Sequence, residues 1–157
     1  MTSNQILDAN IFADVLNHTP LVSIDLCVVR EDELLMCMRD NEPARGFLFT
    51  PGGRIFKGEG WSEALIRIAI TEIGLQVLDF NPILMGIWDH FYENSIFGDD
   101  VTTHYVNLPH LVEINSSFSP QLDSQHVSYC WINLADAQKN DLIHPYALKY
   151  VNWILER

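Results

Sequence analysis

Basic side chains are scarce in this chain: nine Lys and Arg stand against 21 Asp and Glu, a formal net charge of −12 over 157 residues. Nucleic-acid binding is dominated by Lys and Arg neutralising phosphates, so a balance this acidic argues against DNA or RNA as a partner. Cysteine is scarce as well. Cys27, Cys37 and Cys130 are odd in number, sit in apolar strand-like contexts and lack CxxC spacing, which predicts buried free thiols, with neither disulfide nor zinc site. No stretch approaches the ~20 apolar residues of a membrane span, and the start of the chain has neither a basic cluster nor an unbroken apolar run. A soluble, cytoplasmic protein with no membrane partner is expected. Repeats, low-complexity tracts and Pro/Ser linkers are also missing, so residues 1–157 read as one domain, long enough to fill one core.

What is present is a regular succession of elements. Asp8 to Asn17 predicts an amphipathic helix with Ile11, Phe12, Val15 and Leu16 inward, stopped at His18-Thr19-Pro20. In LVSIDLCVVR the residues Val22, Ile24, Leu26 and Val28 alternate with Ser23, Asp25, Cys27 and Val29, and a Glu31-Asp32 turn leads into a second strand, ELLMCMRD. Asp25 therefore interrupts an apolar sheet region. A helix over Ser62 to Ile73 would put Leu65, Ile66, Ala69, Ile70 and Ile73 on one face, with Gly74 as a left-handed cap. Further strands are expected at Ile83 to Tyr92, Val101 to Leu108 and Tyr129 to Ile132, and Pro145 opens a last helix that ends near Glu156. This order predicts an α/β (α+β) sandwich. Six of the nine basic residues, Arg30, Arg39, Arg45, Arg54, Lys57 and Arg67, cluster around Gly52-Gly53, so a local pocket for a small phosphate compound survives in an acidic protein.

The segment from Pro51 to Leu75, PGGRIFKGEGWSEALIRIAITEIGL, carries Gly53, Glu59, Arg67, Glu72, Gly74 and Leu75 at the intervals of GX5EX7REUXEEXGU. It resembles the Nudix box. Two of the box glutamates are replaced, by Ile68 and Thr71, and together with TPLVSID (from Thr19), WDHFY (from Trp88), THY (from Thr103) and DSQH (from Asp123) the chain is similar to the GDP-mannose mannosyl hydrolase subfamily. The resemblance implies the Nudix fold, a mixed β-sheet sandwiched between α-helices, and a homodimer acting on a small-molecule nucleotide sugar. It also implies one Mg²⁺ per active site, replaceable by Mn²⁺, on the Gly52 carbonyl, Glu72 and the Gln125 side chain. Glu72 is the one charged ligand in that set, so Mg²⁺ would bind weakly until a diphosphate adds its oxygens.

Further roles follow by position from the same resemblance. Arg39, Arg54 and Tyr105 match diphosphate-binding positions, a task suited to the guanidinium fork. His126 matches the general base, with a ring that takes a proton near neutral pH. Asp25 and His90 match hexose contacts, and Asp25 is also a candidate orienter of the base. Glu59 and Arg67 are expected to brace the loop through a bidentate pair. With two box carboxylates gone, the metal is suited to steadying a departing diphosphate while water attacks sugar C1. The expected reaction is hydrolysis of GDP-mannose, and also GDP-glucose, to GDP and free hexose with inversion. A Nudix pyrophosphatase cutting at phosphorus, or a non-catalytic sugar-nucleotide-binding domain, would be the alternative.

Overall fold

A computed structural model describes residues 7–115, 117–122 and 126–157, with the backbone alone for residues 126 and 127. Helix α1 (Ala9–His18) starts where the Asp8 carboxylate accepts a hydrogen bond from the Asn10 N–H at 2.9 Å, leaving Leu16 buried. Strand β1 (Leu21–Arg30) follows and organises the molecule. Its first half pairs antiparallel with β4 (Gly52–Arg54) and parallel with β7 (Thr103–Asn107). Its second half pairs antiparallel with β2 (Glu33–Arg39) and parallel with β8 (His110–Glu113). The sheet path runs β3 (Leu48–Phe49), β2, β1, β7, β6 (Trp88–Tyr92), with β5 (Ile83–Leu84) on β8 and β9 (His126–Asn133) on β2. The mixed sheet lies between helices, as the element order predicts.

Both faces of β1 are buried from Ser23 to Val29, and its alternation sends successive residues to different cores. Ile24, Leu26 and Val28 meet Ala64, Leu65, Ile68, Ala69 and Ile73 of α2 (Trp61–Ile73), whereas Cys27 and Val29 share a core with Phe49 and with Ala147, Tyr150 and Val151 of α3 (Pro145–Leu155). Cys27 and Cys37 are buried and Cys130 is half-buried, all as free thiols. No helix among the described residues is long and apolar enough to cross a membrane.

Several boundaries differ from expectation for local reasons. Helix α2 begins at Trp61, and its inward stripe contains Ile68 and Glu72, while Ile70 is 44% exposed. Its end is as expected: Gly74 adopts a left-handed φ of 70° and its N–H bonds back to Ile70 O. The strand expected over Ile83 to Tyr92 is two strands, broken at Gly86, whose φ of 154° suits glycine and where a Cβ would stand 2.9 Å from Trp88 Nε1. Strand β8 went unforeseen because Pro109 obscures the short apolar run that follows it. Val22 is 41% exposed because it precedes the doubly covered part of β1.

Candidate active site

The two partners of β1 change at Asp25–Leu26, and a cavity of about 560 Å³ opens there. Strand β4 approaches β1 so closely that a Cβ on Gly52 would stand 2.3 Å from Asp25 Oδ1 and 2.6 Å from Ile24 O. Only glycine fits that position, which explains the first glycine of the pair. Beyond β4 the chain turns into α2, and the turn is braced by charge. Arg67 on α2 donates from Nε to Glu59 Oε1 at 2.7 Å and from Nη2 to Glu59 Oε2 at 2.9 Å, and Nη2 also donates to Arg54 O at 2.9 Å. Glu59 Oε2 accepts the Phe56 N–H at 3.0 Å. These donors, led by Arg67, hold the Glu59 carboxyl below its ordinary range.

Residues named from sequence come together on this cavity. Asp25, Arg39, Gly52, Gly53, Arg54, Arg67, Glu72, His90 and Tyr105 all line it. Arg54 lies over the rings of Phe12, at 4.6 Å, and Phe56, at 5.0 Å, while Arg39 Nε donates to Pro43 O at 3.0 Å. Burial pushes the Tyr105 phenol above its ordinary range, so it stays a neutral hydroxyl. Glu72 is the one α2 carboxylate among the described residues on the cavity wall. Of the two box positions lacking an acid, Ile68 is buried, its Cγ1 3.3 Å from where a Cβ on Gly53 would stand, and Thr71 is exposed. No three His, Cys, Asp or Glu side chains among the described residues gather into a metal cage. A hard cation here would draw on oxygen donors of mixed kind, which the Glu72 carboxylate and the Gly52 carbonyl provide. Gln125 lies outside the described residues. The backbone of His126 pairs with that of Arg39 across β2 and β9, at a register shift after Met38.

Asp25 and His90 lie within a polar ring that sequence reasoning did not find. Asp25 Oδ2 accepts from Tyr150 Oη at 2.5 Å and from Asn107 Nδ2 at 2.7 Å. Asn107 Nδ2 also faces His90 Nδ1 at 3.4 Å, and His90 Nε2 faces Tyr150 Oη at 3.3 Å. A neutral His90 protonated at Nε2 accounts for every contact in the ring: Nε2–H donates to Tyr150, Tyr150 to Asp25, and the two amide hydrogens of Asn107 go to Asp25 and Nδ1. The electrostatics agree. Burial, reinforced by His144 and Lys149, lowers His90 to about 4. Burial raises Asp25 to about 6 against the opposing pull of Tyr150, Asn107 and Arg39. His90 is further clamped by Tyr146, stacked at 4.2 Å. A carboxylate in an apolar strand was the available signal, because buried charge demands donors from elsewhere in the fold. His104, in contrast, points away and pairs with Asp89 at 3.0 Å against Phe91.

A hydrolase of the Nudix kind is what this sheet, glycine turn and braced helix define. The NUDIX domain family model matches residues 19–154, and the chain belongs to that family. It is 33% identical over 138 residues to the low-salt glycan biosynthesis protein Agl8 of Haloferax volcanii, covering 88% of this chain and 84% of that protein. Among solved structures it is similar to the MutT Nudix hydrolase of Burkholderia pseudomallei, at 21% identity and TM-score 0.72 over 87% of this chain and 99% of that one. The Nudix domain of Shewanella oneidensis NrtR, complexed with ADP ribose, matches at 17% identity and TM-score 0.69, over 96% and 93%. These structures share the fold.

Proposed function

We propose that this Nudix hydrolase cleaves GDP-mannose, and secondarily GDP-glucose, to GDP and free hexose, with water attacking sugar C1 and inverting it. The observation that carries this reading is the composition of α2: Glu72 is its lone cavity carboxylate among the described residues, with Ile68 in the core and Thr71 in solvent at the other two box positions. Water attack on phosphorus in a Nudix site draws on a richer acidic helix, whereas departure of a diphosphate needs cationic support only for the leaving group. Arg39, Arg54 and the Tyr105 hydroxyl supply fixed donors along the cavity for that diphosphate. The name of the Haloferax relative, a glycan biosynthesis protein, accords with a sugar-nucleotide substrate.

Gly52 through its carbonyl, Glu72 and Gln125 would hold one Mg²⁺, with Mn²⁺ as a substitute. When bound, the ion neutralises charge growing on the leaving diphosphate. His126 is assigned as general base, a reading supported by the pairing of its backbone with that of Arg39, which lines the cavity. Asp25 and His90 form the polar floor of the sugar end, and the assembly is a homodimer in a cytoplasmic setting. Turnover of GDP-mannose in ¹⁸O-water decides the bond: the label is expected in mannose, with none in GDP. Label in a phosphate group overturns the reading in favour of cleavage at phosphorus.

A further inference from the structure

Three side-chain oxygens on the cavity wall are buried and have no hydrogen-bond partner among the described residues: Ser23 Oγ, Thr50 Oγ1 and Asn107 Oδ1. Their residues are 5%, 3% and 2% exposed. A buried polar atom left without a partner is costly, and three of them on one wall call for a common explanation. The fold brings all three onto one cavity. Ser23 of β1 and Asn107 of β7 are register partners, and Thr50 lies just before β4, which pairs with β1 at Ser23 and Asp25. Nor can the Asn107 oxygen turn inward, because its amide nitrogen is held by Asp25 and faces His90.

We infer that Ser23, Thr50 and Asn107 form a subsite that reads the hydroxyl groups of the sugar and so sets which hexose the enzyme accepts. The chemistry of the three atoms selects the ligand. An amide oxygen only accepts, and the two hydroxyls both donate and accept, so their complement is a group rich in O–H. A phosphate would bring only acceptors against Asn107 Oδ1 and the Asp25 carboxylate, and it belongs with Arg39 and Arg54 instead. The cavity is thus polarised, with a cationic end for the diphosphate and a neutral to acidic floor for the polyol. This inference rests on the nucleotide-sugar reading above and adds the residues that discriminate among sugars.

Thr50→Val and Ser23→Ala separate a ligand role from a structural one, whereas Asn107 is a poorer probe because it also holds Asp25. Since neither hydroxyl bonds within the described protein, the variants should melt no lower than the wild type. With GDP-mannose and Mg²⁺, kcat/KM should fall roughly fivefold to a hundredfold in each, the loss expected when a ligand hydroxyl is left unpaired. Inhibition by GDP, which lacks the sugar, should be unchanged. If the wild type hydrolyses GDP-mannose and both variants match it in kcat/KM, the subsite is overturned and the hydrolysis reading stands. An equal loss of GDP binding, or a lowered melting temperature, also overturns it in favour of a structural role. If the wild type turns over no nucleotide sugar, the hydrolysis reading fails, and equilibrium titration decides the subsite. Tighter binding of GDP-mannose than of GDP, lost in Thr50→Val, supports it; equal binding of the two overturns it.

Discussion

At the scale of single residues, Tyr150 shows how a group far from the box in sequence acts at its centre. It is fully buried, stacks on Trp88 at 4.9 Å and donates a hydrogen bond from its hydroxyl to Asp25. Tyr150→Phe keeps the ring and removes one donor from a buried carboxylate. The expected loss is about 1–3 kcal/mol of folding stability, the cost of leaving such an acceptor short of a partner. Asp25→Asn removes the charge that needs that donor, so in a double-mutant cycle the two losses should fall short of adding. Urea unfolding of the four proteins measures this. Additive losses would show that the Tyr150 hydroxyl stabilises through another partner, such as His90, and not through Asp25.

At the scale of elements, the turn between β4 and α2 is held by one ion pair in a fork geometry. Arg67 is 32% and Glu59 13% exposed at the side chain, so the pair is screened less than a surface bridge. Arg67→Lys retains the charge but cannot make the paired contacts to Glu59 and the third to Arg54 O. Stability should fall by about 1–3 kcal/mol, and β4 should loosen, raising KM for the substrate more than it lowers kcat. Faster amide exchange at Ile55 and Phe56 would report the same loosening. A lysine variant with native stability and KM would show that charge alone suffices.

At the scale of the whole molecule, buried ionisable groups of opposite kind shape the response to pH. His90 and His144 are both held near about 4, below 6.5, chiefly by burial, so the unfolded chain binds more protons between those values and stability rises with pH there. Asp25 is raised from 3.8 to about 6, so the folded state binds more protons in that window and stability falls as pH rises through it. His110, also lowered by burial, acts with His90 and His144 against Asp25, and wild-type stability should climb from about pH 4 to about pH 6.5. Asp25→Asn should steepen that climb and His90→Gln should flatten it, each seen by urea unfolding at the two ends. A His90→Gln slope equal to the wild type would mean that His90 does not titrate as its burial requires.

The box spacing in the sequence determined much of the site, because glycines, a braced Glu59–Arg67 pair and Glu72 sit within one turn and one helix, where local geometry fixes what faces what. Gly74 as a helix end and Pro145 as a helix start were legible for the same reason: each acts on its own backbone. The inward stripe of α2 was read less well, since Ile68 and Ile70 are alike in composition and only the approach of Gly53 decides which is covered. Nothing in the pattern of β1 said that its two halves serve different neighbours, a consequence of pairing with four other strands. The ring of Asp25, His90, Asn107 and Tyr150 lay beyond reach as well, its members as many as 125 residues apart. A sequence marks where a buried charge must find donors, but only the packing of α3 against β1 and β6 decides which side chains arrive to supply them.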